Sequence, residues 1–270
     1  LVSSFAIIFG GLWLFLEPVS LVFPDLFERS WGVLAILVGV SLIGGLWRSR
    51  PRERLEFKLP PSDLTIKIAV GDVLAQEGNV VLGSNDTFDT SLSDGIINPK
   101  SVQGQLLQRV FEGDIDALDG QISTSLAEAT PVADPDKTFG KTDRYPIGTV
   151  AIVVKGKTRY FLPAIAKMSA GTPPYTQASV EGVQMALTKA WEAVGRAGQR
   201  DPVHAPIVGS HLARVGLSHT WLAQMMILSF VAVTKKDSGS SSLTIWVAEG
   251  DAATVDLAAL DDWLRALCAA

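Results

Sequence analysis

Two charge-free apolar runs at the start of the chain constrain it more than any other feature. From Leu1 to Leu16 no residue is charged, and after Glu17-Pro18 apolar character resumes from Val19 to Phe23. A second run, Ser30 to Trp47, has 18 residues and no charge. A helix needs about 20 predominantly apolar residues to cross a hydrocarbon core. The expectation is a transmembrane hairpin over residues 1–47, with spans at about 2–23 and 30–47, joined by Pro24-Asp25-Leu26-Phe27-Glu28-Arg29. Arg48, Arg50, Arg52 and Arg54 crowd the exit of the second run, so the positive-inside rule puts the larger C-terminal part in the cytoplasm. Ala6/Gly10 and Ala35/Gly39 would let the helices approach closely, and Trp13, Trp31 and Trp47 suit interfaces. A cleaved signal peptide would leave the second run unexplained. Because the chain opens at Leu1 inside an apolar run, a few residues are expected to precede it.

Residues 48–61, rich in Arg and Pro, read as a basic linker, and residues 62–270 as one folded domain. Ile66, Ile68 and Val70 alternate as in a strand, and Val80-Val81-Leu82 is a second, short one. Val150–Val154 and Tyr160–Ile165 flank Lys155-Gly156-Lys157-Thr158, a hairpin turn. Ile115, Leu118, Ile122 and Leu126 recur at helical spacing, as do Val183, Leu187, Trp191 and Val194. Strands at 203–208 and 243–247 alternate with helices at 180–195 and 218–233, and a last helix is capped by Asp256. Thr130 to Asp143 is the expected long surface loop. The class is α/β, a layered sandwich with a mixed sheet.

Lys and Arg total 23 against 28 Asp and Glu, a net charge of −5, which disfavours a nucleic-acid partner. The single cysteine, Cys268, precludes an internal disulfide and a cysteine zinc site, and suits a reducing compartment. Several catalytic signatures fail. Gly140-Lys141-Thr142 resembles the end of a phosphate-binding loop, but Pro135 stands where its first glycine belongs. Gly209-Ser210-His211 lacks the Gly-x-Ser-x-Gly pattern. His204, His211 and His219 fall on a strand, a loop and a helix, and no metal site is expected from them.

Polar loops leaving the C-terminal ends of strands remain, the place where α/β sheets bind ligands. They are Gly71-Asp72, the run Gly83-Ser84-Asn85-Asp86-Thr87-Phe88-Asp89-Thr90, and Gly209-Ser210-His211-Leu212-Ala213-Arg214. Together they make a nucleotide-shaped pocket. Asp72 can accept from an exocyclic amine, Asn85 or Thr87 can bind ribose hydroxyls, and backbone N–H groups beside small residues can cradle phosphates, with Arg214 nearby.

At these positions the chain resembles the macro domain family, and more narrowly the macro-like domain of Thoeris antiphage effectors, in the branch where that domain follows two transmembrane helices. The likeness is carried by IKIAVGDVL (66–74), VVLGSNDTFDTSLSDGIINPKSVQGQL (80–106), GKTDRYPIGTVAIV (140–153), APIVGSHLARVG (205–216) and LTIWVAEGD (243–251). The resemblance implies a macro-domain-like three-layer sandwich that binds an ADP-ribose derivative and needs no cofactor or metal. It implies contact of Asp72 with adenine and of Asn85 with the distal ribose. The candidate ligand set is Asp72, Asn85, Asp86, Thr87, Phe88, Asp89, Thr90, Ser101, Gln103, Gly104 and residues Gly209 to Arg214, with Lys141 and Tyr145 as further candidates. Asp89, Lys141 and Arg214 would meet the charged ends of a histidine attached to the nucleotide.

The resemblance further implies a TIR-domain partner that makes histidine-ADP-ribose from NAD, a two-pass protein in the bacterial inner membrane, ligand-induced homo-oligomers and disruption of lipid. It favours a receptor over an enzyme, because the usual run of glycines in the first phosphate loop is replaced by Asp89 to Gln103. The rival expectations are a membrane-anchored ADP-ribosyl hydrolase using Asn85 and Asp89, and an anchored scaffold for an ADP-ribosylated protein.

Overall fold

The computed structural model describes residues 2–22, 31–48, 54–59, 63–208, 216–235 and 240–269. The chain divides into two units, Leu1–Arg52 and Glu53–Ala270.

The first unit holds helices α1 (Val2–Val22) and α2 (Trp31–Arg48), which pack on each other. Gly44 lies at the contact, where an added Cβ would sit 3.0 Å from Ile8 Cδ1. Gly10 and Gly39, expected at the seam, have open space around them instead. Among the described residues no helix is long and apolar enough to cross a membrane. Glu17 and Pro18 fall inside α1. A carboxylate at hydrocarbon depth costs about 2.5–3.5 kcal/mol, and proline removes a backbone donor. The second helix has 18 residues and ends on Arg48, at the short limit of the roughly 17–25 a span takes. This corrects the expected transmembrane hairpin, and with it the inner-membrane placement.

The second unit is built on a mixed sheet. Strand β1 (Arg54–Leu59) runs antiparallel to β2 (Leu64–Val70), so the stretch read as a linker is in part a strand. Leu55 and Leu59 are buried while Arg54 and Glu56 are exposed, the period-2 pattern of an edge strand. Strands β3 (Asn79–Val81) and β4 (Ser84–Asn85) follow. After a helical segment, α3 (Val102–Gln105) continuing into a wider turn at Leu106–Val110, comes α4 (Ile115–Ser125). Strands β5 (Val132–Ala133) and β6 (Asp143–Arg144) pair with each other and tie off the long surface loop.

The expected hairpin is β7 (Val150–Lys155) and β8 (Thr158–Met168), in register from Val150↔Pro163 to Lys155↔Thr158, with Gly156 at φ +61° in its turn. Then come β9 (Thr176–Gln177), α5 (Val180–Ala197), β10 (Val203–Pro206), α6 (His219–Thr234), β11 (Ser242–Val247) and α7 (Leu257–Ala269). The order across the sheet is β1-β2-β11-β10-β3-β8-β4, with β7 and β9 also pairing β8. From β2 through β4 the neighbours are parallel.

Alternate residues of each strand point to opposite faces, and each face has its own core. On one face Ile66, Ile68, Val81, Phe161 and Ile245 pack with the buried stripe of α5, with α6 and with α7. Trp191 of α5 meets Phe230 of α6 edge-on at 5.3 Å. On the other, Val80, Leu82, Tyr160 and Leu162 pack with Leu106, Leu107, Phe111, Leu118 and Ile122. Ser179, Ser218 and Asp256 cap the helices after β9, β10 and β11 by accepting from Gly182, Trp221 and Ala259 backbone N–H groups. The result is a three-layer α/β sandwich in which the parallel strands all end on the same edge, where ligand loops gather.

Candidate ligand-binding site

A cleft of about 390 Å³ opens at that edge, within the roughly 300–1,000 Å³ range of small-molecule sites. Its floor is Gly83, Ser84 and Asn85 after β3, Ile165 and Ala166 of β8, and Pro206 to Val208 at the end of β10. Its walls are Gly95 to Asn98, Ser101 to Gln103, Pro174 to Thr176, and Asp251 after β11. Two glycines make room for this arrangement. A Cβ on Gly83 would collide with Ile165 Cδ1, and one on Gly104 with the carbonyl oxygen of Asn98, so backbone approaches backbone at the cleft wall.

Asn85 is the most informative side chain. It is 2% exposed, and its Oδ1 accepts from Thr87 N at 3.1 Å and Asp89 N at 3.1 Å, with Thr87 Oγ1, whose one proton goes to Asp89, lying 2.9 Å away. Both donors are backbone N–H groups, which fixes which end of the amide is oxygen. The other end, Nδ2, has no hydrogen-bond partner among the described residues although it is buried. A buried unpaired donor costs about 1–3 kcal/mol, so a ligand acceptor at that position would be strongly rewarded.

The loop carrying Asn85 is braced from behind. Asp86 accepts from Met168 N at 2.8 Å and pairs with Arg144 at 2.7 Å, while its carbonyl accepts from Tyr145 N at 2.8 Å. Arg144 reaches on to Asp134 at 2.6 Å and holds that carboxyl below the usual range. Phe88 has φ +49°, a conformation a bulky side chain rarely takes, and its buried ring meets Tyr145 edge-on at 5.4 Å. Burial pushes the Tyr145 phenol up. Asp89 accepts from Thr87 Oγ1, from Lys141 N at 2.6 Å and from Lys137 Nζ at 3.0 Å. Lys141 Nζ donates to Phe88 O at 2.8 Å and to Asp119 at 2.6 Å, which also accepts from Thr90. Gln103 donates from the cleft wall to Ser84 Oγ at 3.3 Å and to Asp89 O.

Asp72 sits beside the neighbouring strand end. Its carboxylate caps the turn Val73–Ala75 by accepting from Leu74 N at 3.0 Å, and it pairs with Arg109. That guanidinium holds the Asp72 carboxyl below its ordinary value. Arg109 is presented by the wider turn at Leu106–Val110, where Phe111 N donates five residues back to Leu106 O at 3.1 Å.

Of the residues expected from sequence, Asn85, Ser101 and Gln103 line the cleft, and Gly104 supports it. Asp86, Thr87, Phe88, Asp89, Thr90, Lys141 and Tyr145 form the brace behind it, and Asp72 is not among the lining residues. Asp89 and Lys141, expected to meet a charged ligand, instead satisfy each other's neighbourhood. Gly209, Ser210, His211, Leu212, Ala213 and Arg214 lie outside the described residues. Sequence reasoning missed Asn98, Tyr175 and Asp251 in the walls and Lys137 in the brace.

The family model for the Thoeris protein ThsA macro domain matches residues 66–248, about two-thirds of the chain. The chain belongs to the ThsA macro domain family. Its curated relative, Thoeris protein ThsA of Bacillus amyloliquefaciens (strain Y2), is 26% identical over 231 residues, covering 81% of this chain and 74% of that protein. A solved structure of the Oceanobacillus iheyensis macrodomain, a single-residue mutant, superposes with a TM-score of 0.52 at 11% identity, over 79% of this chain and 99% of that one. That likeness shows a macro-domain-like fold. The ThsA macro match begins at Ile66, within β2, and ends at Ala248, just after β11, so it spans every strand that contributes to the cleft.

Proposed function

We propose that this chain is the nucleotide-sensing effector of a Thoeris antiphage system. Its macro-like domain binds an ADP-ribose derivative, with histidine-ADP-ribose made by a TIR-domain partner as the first ligand to test, and does not consume it. The observation that carries the reading is the buried Nδ2 of Asn85, without a partner among the described residues, on the floor of a cleft at the strand ends. It is a donor with capacity for an acceptor oxygen such as a ribose hydroxyl. Family membership and macro fold support the ligand class.

The receptor reading draws support from the two carboxylates in the loop that carries Asn85. Asp86 and Asp89 are 2% and 1% exposed and bonded on both oxygens, so neither is poised to take a proton from water in the cleft. Binding is then read out as a change of assembly, because a ligand does work only by preferring one state over another. The test is titration of the full chain and of Asn85→Ala with ADP-ribose and its histidine conjugate, with particle mass measured with and without ligand. Binding that weakens at least about tenfold in the variant, equivalent to about 1.4 kcal/mol, together with a rise in mass, supports the reading. Unchanged affinity in the variant removes Asn85 from it, and unchanged mass removes the assembly step.

A further inference from the structure

We infer that the Ser84 hydroxyl is a second donor on the cleft floor and that, with Asn85, it holds the vicinal hydroxyls of the ligand's terminal ribose, an assignment that rests on the ligand class proposed above. Ser84 is 3% exposed and lines the cleft beside Asn85. The two residues make up β4, which pairs with β8 through Ser84↔Ala164 and Asn85↔Ala166. One step along β4 is thus matched by two along β8, an irregularity of the kind that re-aims side chains. In a regular strand neighbouring side chains point to opposite faces; here both neighbours line one cleft.

The use of the Ser84 proton follows from its neighbours. Gln103 Nε2 donates to the backbone carbonyl of Asp89, which can only accept, so this end of the Gln103 amide is nitrogen. The other proton of that nitrogen goes to Ser84 Oγ at 3.3 Å. Ser84 Oγ is therefore the acceptor in this bond, and its own proton has still to be placed. Among the described residues the bond from Gln103 is the one hydrogen bond of the Ser84 side chain, so that proton has no acceptor. Asn85 Nδ2 is likewise buried without a partner among the described residues. Two adjacent buried residues thus present donors with no acceptor on one stretch of the cleft floor, an arrangement that favours a ligand able to satisfy both.

Two donors side by side call for two oxygens side by side, and the vicinal hydroxyls of a ribose supply them. Ser84, Asn85 and Gln103 are all neutral, which suits uncharged hydroxyls. A phosphate would draw its binding from lysine or arginine, and neither lines the cleft among the described residues. Gln103 is then a positioning residue that acts through Ser84: by donating to Oγ it keeps the hydroxyl proton free for the ligand.

The experiment is titration of the full chain, as wild type, Ser84→Ala, Gln103→Glu and the double variant, against ADP-ribose and against ADP, which lacks the terminal ribose. The quantity read is the ratio of the two affinities. In Ser84→Ala that ratio should fall about three- to tenfold, through weaker binding of ADP-ribose with binding of ADP unchanged. In Gln103→Glu a carboxylate that only accepts replaces the donor, so the Ser84 proton turns towards it and the ratio should fall by a similar factor. The double variant should fall little further, because both changes remove the same bond to the ligand. Losses that multiply in the double variant overturn the positioning role of Gln103. Equal wild-type affinities for the two probes, or a ratio unchanged in Ser84→Ala whether both affinities hold or both fall, overturns the inference while leaving the ligand class standing. Failure of the wild type to bind ADP-ribose overturns the ligand class and this inference together. Thermal unfolding of each variant separates lost contact from lost fold.

Discussion

Lys137 Nζ lies 3.0 Å from Asp89 Oδ2, and both side chains are sealed from solvent, at 0% and 1% exposure. The ammonium also donates to the carbonyls of Phe139 and Lys141, each at 2.6 Å, so all three of its protons are used. This pair pins the surface loop after β5 against the loop that presents Asn85. Removing one partner of a buried pair strands the other charge, which costs about 3–5 kcal/mol. Lys137→Met should therefore lower unfolding free energy by about that amount in denaturant titrations. The double variant Lys137→Met/Asp89→Leu should recover part of it. Equal stability of wild type and Lys137→Met would contradict the role of the pair.

Gly140 lies at φ +60°, and an added Cβ would strike Asp89 Oδ1. Gly156, in the β7–β8 turn, has φ +61° but open space around it. Alanine at Gly156 should cost only the left-handed backbone penalty, about 1–2 kcal/mol. Alanine at Gly140 should cost clearly more, because the same penalty adds to a collision with the buried pair. Matched thermal melts of the two variants test this, and a smaller effect at Gly140 would refute it.

The Arg109 guanidinium depresses the Asp72 carboxyl, so the sign of its pH effect is fixed. The contribution is full above the unfolded carboxyl value of about 3.9 and is lost as pH falls through the lower folded value. Both side chains are nearly half exposed, 44% for Asp72 and 46% for Arg109, which limits the contribution to about 0–1 kcal/mol. Asp72→Asn should shallow the acid limb of stability below about pH 4 and change little at pH 7. A large loss at neutral pH would show a role for Asp72 beyond this pair.

Trp246 Nε1 donates to His204 Nδ1 at 3.1 Å across the β10–β11 ladder, which requires a neutral imidazole at that nitrogen. Burial lowers the His204 value further. The unfolded imidazole titrates near about 6.5, so stability is full above that pH and declines as pH falls towards the depressed folded value. His204→Gln keeps an acceptor for Trp246 and removes the proton. Its stability should vary less than wild type between about pH 6.5 and 5, and an unchanged slope would contradict the assignment.

The sandwich was readable where local pattern and tertiary packing agree. The stripe Val183, Leu187, Trp191, Val194 is buried along α5 as its spacing requires, and the hairpin closes at Gly156. Strand β1 was hidden by its charges, although Leu55, Phe57 and Leu59 alternate, because Arg- and Pro-rich flanks read as linker. The apolar runs at the start were legible as helices but not as spans, since hydropathy without regard to Glu17, Pro18 and helix length overstates them.

In the site, Asn85 was visible from the loop after β3. The reversal of roles between Asp89 and the cleft was not, because it depends on Lys137, 48 residues away in sequence. Asp251 likewise reaches the cleft only through the sheet order that sets β11 beside β10. Contacts of this range leave no periodicity for a sequence to display.

The most direct measurement is calorimetric titration of the full chain with histidine-ADP-ribose, followed by recovery of the ligand and its analysis by mass. The account predicts saturable binding, intact ligand on recovery, and a loss of at least about tenfold in affinity for Asn85→Ala. Recovery of cleaved ligand, or the absence of binding to both the conjugate and ADP-ribose, would contradict it.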